Sequence, residues 1–502
     1  IRERRVVGRT MTTGPASAPA AISSGLHAGL PQRALPWSAK LYYGFGEIPV
    51  TVTMVMFGLF AMFFYNSVMG LPAALVGLGI AAGLGIDVLL DPYIGYRSDR
   101  SAARFGRRHS FMLPGALAMG PCFIFVFSPP RGMSHIALFL WLLLGSLAFR
   151  TAGAVYRIPY MSFGAELSQN YVERTTIISV RSLFGLAGTL ATAGLSFLLF
   201  FPKDSAGVNS KLNYASYPRM GVAFGCVMTV TALIACLGTL PQRELSAPAR
   251  LAASTKDFFS GFALALRNRS FRSTWLSFVL FFVGVVLNAV VAVNYFTWYA
   301  QIHDNRVLSG IQTSFYLGAV AGVICWLVFA RHGEKHKMYL AATLGMASLL
   351  WMAFLLIGHG RPFAPGSVVM PLIAGHAIGG LLASAVWVLP ASMLADIADA
   401  DELSSGQRRE GIYFGILSLG EKIGSGGALL IAGLLLNFFV HLAPAASSQS
   451  PAAIERLGMV YGPLPGVMLV AAALLIVPYG LDRKAVQNIQ EQLARRAKGT
   501  AA

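Results

Sequence analysis

The chain has 502 residues, of which 55% are hydrophobic and only 12% are charged, roughly half the charged fraction of a soluble domain. A soluble protein of this length could not bury so many apolar side chains and keep so few charges for its surface. The composition therefore excludes an ordinary soluble protein and indicates a chain that spans a bilayer many times. The net charge of +18 is compatible with nucleic-acid binding. Whether nucleic acid is an expected partner therefore depends on where the basic residues lie.

Twelve apolar stretches follow one another along the chain, each about long enough to span hydrocarbon. They are rich in Leu, Ala and Gly and lack the in/out alternation of a membrane β-barrel, which predicts helices. The 53 glycines suit closely packed membrane helices. The stretches lie at 43–65, 72–97, 110–128, 136–162, 176–201, 218–240, 273–300, 310–330, 338–358, 365–395, 410–438 and 459–480.

The connections divide these stretches into two groups of six. The longest charged connection follows the sixth stretch and contains DFFSGFALAL, an amphipathic segment expected to lie along the membrane surface. The residues before the first stretch are expected to be disordered and to lack a cleavable signal peptide, with Met11 as a candidate natural start. The predicted units are an N-terminal tail (1–38), a six-helix bundle (39–240), a cytoplasmic linker (241–272), a second six-helix bundle (273–480) and a C-terminal tail (481–502).

The basic residues are unevenly distributed between the two sides of the membrane. When loops are assigned to alternate sides, 29 of the 39 Lys and Arg residues lie on the side of both termini and seven lie in the opposite loops. Cytoplasmic loops carry such an excess, so both termini are predicted to be cytoplasmic. The positive charge then sets topology and attracts anionic lipid headgroups of the bilayer, and no nucleic-acid partner is expected.

Two loop regions in equivalent places of the two groups are similar in sequence. IPYMSFGAELSQNYVERT (158–175) joins stretches four and five, and LPASMLADIADADELSSGQRREG (389–411) joins stretches ten and eleven. Each has an acidic residue after Ala, Glu166 or Asp396, and then a basic residue. Chance similarity is one explanation. The other is a pair of six-helix repeats with a substrate site between them, a common transporter plan.

The loop between stretches two and three contains DPYIGYRSDRSAARFGRRHSF, at residues 91–111. Its glycines allow a tight turn, and its acidic and basic residues can pair across a cytoplasmic gate that opens in another conformation. The alternative is a set of basic topology anchors, which would not explain the Gly and Asp positions. The residues assigned to this gate are Gly95, Asp99, Arg100, Gly106, Arg107 and Arg108, together with Asp396 and Arg409 of the second repeat.

The six gate positions between residues 91 and 111 match the loop signature of the major facilitator superfamily. The chain as a whole resembles the glycoside–pentoside–hexuronide:cation symporters, the melibiose-permease-like branch, through YGFGE (43–47), the segments above, the stretch from Asp396 to Lys422 and the tail YGLDRKAVQNIQEQLARR. The resemblance implies a monomeric, multi-pass symporter of the inner membrane that carries a small solute by alternating access and needs no bound cofactor. It does not imply an enzyme.

Two acidic residues inside the second stretch, Asp87 and Asp91, are four residues apart and share one helix face. Charges inside a membrane are costly and usually functional, and the corresponding pair in the family helps to bind the coupling cation. Lys422 matches a family lysine near that site. Asp91 could instead be a helix-end residue before Pro92.

The surroundings of this acidic pair depart from the sodium-dependent members of the family. Where those members have Asn, Asp and Thr ligands, this chain has Leu90, Arg157 and Ala154. The loss of oxygen ligands disfavours Na⁺, and the added arginine repels any cation. The coupling ion is therefore expected to be H⁺ rather than Na⁺.

Arg150 and Arg157 lie two helical turns apart and share one face of the fourth stretch. Three interpretations stay open: Arg157 pairs with the acidic pair, both arginines bind an anionic substrate, or they form an ion pair that only fixes helices. Arg181 resembles a substrate-side arginine of the family or is a cytoplasmic anchor. Tyr160 and Trp387 could line the cavity or serve packing.

The leading hypothesis is a proton symporter for a polar glycoside- or uronide-like solute, including anionic ones. A transporter of lysophospholipids or other amphiphiles is the first alternative, since relatives of the family carry such cargo. A membrane enzyme or receptor is the second, but it would need a catalytic cluster or a soluble domain. The four cysteines have no metal-binding spacing, so no metal site is expected.

Overall fold

The computed structural model describes residues 35–499, with gaps at 102, 104, 169, 202–208, 246–261, 263, 331–332, 359–360, 366–367 and 407–408. Residues 1–34 of the predicted disordered tail (1–38) and most of the predicted amphipathic segment of the linker therefore lie outside the described residues. The last two residues of the predicted tail are helical instead, because the first helix begins at Trp37. Within the described part, twelve helices are long and apolar enough to cross a membrane. This confirms the predicted all-α membrane fold.

The membrane helices are numbered here in chain order, followed by one polar helix in the tail. They are α1 Trp37–Val68, α2 Ala73–Asp99, α3 His109–Phe127, α4 His135–Glu166, α5 Glu173–Phe200, α6 Ser216–Gly238, α7 Arg269–Tyr299, α8 Asn305–Phe329, α9 Lys335–Leu356, α10 Val369–Ser405, α11 Glu410–Phe439, α12 Pro451–Tyr479 and α13 Arg483–Gly499. We call the end of the bundle that holds Trp37 and Tyr479 the near end, and the end that holds Val68 and Ala73 the far end.

The first helices of the two halves, α1 and α7, share an unusual local geometry. Each finishes at the far end in a π-helical turn, Phe64–Val68 in α1 and Tyr295–Tyr299 in α7. Such turns are rare and often occur at functional positions. The Ser67 hydroxyl donates a hydrogen bond of 3.0 Å to the side-chain oxygen of Asn294, so the two π turns lie where the halves meet.

Helices α2 and α11 also join the halves, and they pack through glycines. A Cβ atom added at Gly77 would lie 2.6 Å from the carbonyl oxygen of Leu429, and one added at Gly433 would lie 2.5 Å from that of Ala73. No side chain fits at either distance, so only glycine allows the two backbones to approach this closely. The contact lies toward the far end, since Ala73 is the first residue of α2.

Further hydrogen bonds hold the halves together at the far end. The Asn305 amide at the start of α8 donates to the Ser210 hydroxyl at 2.8 Å and to the Phe201 carbonyl at 3.3 Å. The Ser309 hydroxyl donates to the Gly194 carbonyl of α5 at 2.9 Å. In this conformation the first and second halves are therefore in direct contact at the far end.

Candidate functional site

A central cavity of about 290 Å³ lies between the two halves. Its lining comes from α1, α2, α3 and α4 of the first half and from α7, α8 and α11 of the second. Aromatic and aliphatic side chains such as Phe57, Phe149 and Phe282 form much of the wall. The polar part of the lining consists of Thr53, Asp87, Arg150, Tyr156, Arg157, Tyr316, Glu421, Lys422 and Ser425.

Ion pairs connect three helices along one side of this cavity. Arg150 of α4 lies 3.3 Å from the Asp87 carboxylate of α2, and Arg157 lies 2.9 Å from Asp91. The Lys422 ammonium of α11 bonds the same Asp91 oxygen as Arg157. The hypothesis that Arg157 pairs with the acidic pair is confirmed, and Asp91 is shared by two cations that come from opposite halves.

The spacing of these residues explains how the pairs form. Asp87 and Asp91 are one helical turn apart on α2, and Arg150 and Arg157 are two turns apart on α4. Each arginine can therefore reach a different carboxylate while both helices keep one face toward the other. Burial makes the pairing necessary, because Asp87 is only 5% exposed and an uncompensated charge there would be costly.

Glu421 is a cavity residue that the sequence analysis did not identify. It is exposed to the cavity on α11, directly before Lys422. Among the described residues it has neither a hydrogen-bond partner nor a cation within 4 Å. The three cations Arg150, Arg157 and Lys422 are thus balanced in formal charge by Asp87, Asp91 and Glu421, although only the two aspartates form ion pairs.

The other residues predicted to contact substrate lie outside the cavity lining in this conformation. Tyr160 is fully buried, with ring centroids 4.6 Å from Tyr43 and 5.5 Å from Tyr156, so packing accounts for it here. Arg181 lies 3.6 Å from the Glu47 carboxylate. Trp387 is on α10 and is half exposed. A substrate contact by any of these side chains stays a prediction.

The predicted gate residues of the first half form one network at the near end. Glu166 at the end of α4 accepts hydrogen bonds from Arg107 at 2.6 Å and from Arg108 at 2.7 Å. Arg108 also lies 2.5 Å from Asp99 at the end of α2. Gly106, with a positive φ of 84°, makes the turn that brings these arginines over both helices.

This network corrects one expectation. Asp99 and the arginines were expected to pair across the gate, but in this conformation they pair with one another and with Glu166, inside the first half. They pair in this way because the loop between α2 and α3 is short and holds Arg107 and Arg108 next to the end of α2. Arg100 stacks on Tyr96, and Gly95 packs near α4 without an ionic role.

The second half has an equivalent network that the sequence did not reveal. Lys335 at the start of α9 lies 2.6 Å from Asp396 of α10. Glu166 and Asp396 therefore occupy equivalent places, each bonded to a basic residue that follows the second helix of its own half. Arg409, which was assigned to the gate with Asp396, lies 3.8 Å from Asp401 instead.

Comparison with known proteins agrees with this architecture. The family model described as MFS/sugar transport protein matches residues 42–483. The isoprimeverose transporter of Lactiplantibacillus pentosus is 24% identical over 93% of this chain and 92% of its own length. The sphingosine-1-phosphate transporter MFSD2B of Mus musculus is 24% identical over 97% of this chain and 98% of its own length.

A solved D-xylose-proton symporter superimposes on the chain with a TM-score of 0.62 at 14% identity, covering 89% of this chain and 99% of the symporter. At that identity the likeness shows a shared fold only. The family match and the full-length relatives confirm the resemblance drawn from residues 91–111 and 396–422.

Proposed function

The chain belongs to the MFS/sugar transport protein family and is a multi-pass secondary transporter of the inner membrane, and we propose that it carries an acidic glycoside or uronide together with a proton. The observation that carries this proposal is a carboxylate beside the cavity that is shared by two cations of the cavity lining. Arg157 and Lys422, one from each half, both bond Asp91. No coordinated metal or organic cofactor is part of the proposal.

A shared carboxylate suits a site that binds an acidic solute. A guanidinium and an ammonium that converge on one point also fit the carboxylate of a uronide, which can accept from both. The solute would draw Arg157 and Lys422 partly away from Asp91 and so connect the two halves through itself. Hydroxyl groups of the sugar can bond Thr53 and Ser425, which line the same cavity.

The charge balance of the cavity supports proton coupling. The formal charges of the lining and of Asp91 cancel, so an entering anion would leave one uncompensated negative charge inside the membrane. A proton that enters with the anion removes that charge. Sodium is a poorer candidate, because Leu90 and Ala154 supply no side-chain oxygen beside the acidic pair.

Alternating access follows from the arrangement of the two halves. We expect the contacts of Asn305 and Ser309 at the far end to break when that end opens, as the halves rock about the central cavity. The excess of basic residues in the near-end loops supports a cytoplasmic position for that end and for both termini.

A second candidate is an amphiphile with an anionic headgroup. One full-length relative is a sphingosine-1-phosphate transporter. The wall formed by Phe57, Phe149 and Phe282 offers an apolar surface beside the cationic side of the cavity. In this case the phosphate would take the place proposed for the uronide carboxylate.

Uptake into proteoliposomes tests these proposals. We expect an inward pH gradient to drive accumulation of radiolabelled methyl β-glucuronide, while a sodium gradient has no effect and the neutral methyl β-glucoside accumulates at least tenfold less. Stimulation by sodium alone would refute proton coupling. Transport of a short-chain lysophosphatidic acid, without transport of a panel of methyl uronides, would replace the first candidate with the second.

A further inference from the structure

The three carboxylates around the cavity differ in their partners. Asp87 lies 3.3 Å from Arg150, and Asp91 is bonded by both Arg157 and Lys422. Glu421 faces the cavity with no cation within 4 Å among the described residues. A carboxylate held by a guanidinium is stabilised as the anion. A carboxylate without such a partner lacks that stabilisation and accepts a proton more readily in a poorly solvated site.

The position of Glu421 also ties its charge to the binding of an anion. Its neighbour Lys422 is one of the two cations that converge on Asp91. An anionic solute at Arg157 and Lys422 would therefore lie close to the Glu421 carboxylate. An ionised Glu421 opposes that solute by like-charge repulsion in a poorly solvated site, whereas a protonated Glu421 offers it a hydrogen-bond donor.

We propose that Glu421 is the residue that binds the coupling proton. This inference rests on the proposed proton symport and names the group that performs it. The proton binds the Glu421 carboxylate before or with the solute, the anion then binds beside it, and both leave on the other side of the membrane. No covalent bond is made to the solute, and each cycle returns Glu421 to the ionised form.

The titratable and charged groups that line or adjoin the cavity beside Glu421 come from four helices. Only Lys422 lies on its own helix, so the field at Glu421 is set largely by the first half and changes as the halves move. The change in field gives a reason why Glu421 releases its proton after the two halves have moved. The titratable and charged groups around the cavity are Asp87 and Asp91 of α2, Arg150, Tyr156 and Arg157 of α4, Tyr316 of α8 and Lys422 of α11.

The decisive variant is Glu421→Gln, which mimics the protonated side chain permanently. In proteoliposomes, electroneutral symport of one proton with a methyl β-glucuronide anion accumulates the solute about tenfold per unit of pH gradient. We expect Glu421→Gln to lose this accumulation while it keeps exchange of internal for external methyl β-glucuronide. The exchange rate should also lose its dependence on pH. Glu491→Gln, an exposed site on α13, is the matched control and should behave as wild type.

Two results would overturn the assignment. One is accumulation by Glu421→Gln to the wild-type ratio under the same pH gradient. The other is loss of exchange together with accumulation in folded protein, which would give Glu421 a role in solute binding or packing. If Glu421→Gln does not fold, Glu421→Asp is measured instead. It should remain coupled with a shifted pH for half-maximal uptake, and an unshifted profile would contradict the proposal. Failure of the proposed function would show itself differently, as wild-type uptake that ignores the pH gradient.

Discussion

Asp91 is the acidic residue on which two cations depend, and this makes the effects of its removal predictable. Its side chain is 16% exposed, and that of Lys422 is 18% exposed, so both are largely withdrawn from water. In Asp91→Asn, both Arg157 and Lys422 lose their ionic partner. In Lys422→Gln, by contrast, the pair between Asp91 and Arg157 at 2.9 Å remains intact.

The magnitudes follow from this asymmetry. Removal of one partner from a buried ion pair costs about 3–5 kcal/mol because a charge is left uncompensated. Loss of one charge-assisted hydrogen bond, with the other ion pair kept, costs about 1.5–3 kcal/mol. We therefore expect Asp91→Asn to destabilise the protein by roughly twice as much as Lys422→Gln. The double variant should be less destabilised than the sum, since it carries one uncompensated cation instead of two.

The assay is thermal unfolding of the purified protein in detergent micelles, followed by tryptophan fluorescence for the wild type, both single variants and the double variant. Glu491→Gln serves as the exposed control and should shift stability by less than about 0.5 kcal/mol. Equal destabilisation by Asp91→Asn and Lys422→Gln, with additive effects in the double variant, would show that Asp91 does not hold both cations.

Three further predictions test the contacts around the site. Gly77→Ala should lower the thermal midpoint, because a Cβ at 2.6 Å from a backbone oxygen forces α2 and α11 apart at about 1–3 kcal/mol, whereas Gly85→Ala, with open space around it, should be neutral or slightly stabilising. Glu166→Gln weakens the bonds to two arginines that stiffen the first half and should slow uptake and exchange by about tenfold or more. Rates equal to wild type would show that transport does not depend on this network. Asn305→Ala removes two hydrogen bonds between the halves and should let the far end open more often. A cysteine placed at the cavity residue Gly58, in a background without other cysteines, should then react at least about fivefold faster with a thiol reagent added from the far side. An unchanged rate would show that these bonds do not hold the far end closed.

The number and order of the membrane helices could be predicted because spanning a bilayer requires a long apolar run, and such runs are visible in composition alone. The helix ends were less predictable. The predicted stretch 365–395 continues in the structure to Ser405, since Ala398, Ala400, Glu402 and Leu403 favour helix and extend α10 until Gly406 takes a left-handed φ of 72°. The start of α12 had a usable signal, with Ser450 as N-cap and Pro451 in the first turn.

Within the site, the pairing of Arg157 with the acidic pair was predictable because spacing and depth can be counted along two helices. Glu421 was not, since one charge beside another on a helix does not reveal which of them faces the cavity until the register of α11 is known. Lys335 was missed for another reason. Its loop has lost the glycine and arginine pattern of the first half, but its bond to Asp396 needs only one ammonium within reach.

The location of the ionic contacts has a consequence for how the halves can move. The networks around Glu166 and Asp396 lie within the first and second half respectively, so they stiffen each half and move with it. At the far end the halves share hydrogen bonds between neutral groups, such as those of Asn305 and Ser309, each worth about 1 kcal/mol. The buried Lys211 ammonium adds a hydrogen bond of 3.2 Å to the Ile302 carbonyl. Among the described residues, the ion pair that joins the halves, Lys422 with Asp91, adjoins the central cavity, where a rocking motion displaces residues least. A motion that opens the far end can therefore break the hydrogen bonds there while the Lys422–Asp91 ion pair is kept, or while Lys422 moves from Asp91 to an acidic solute.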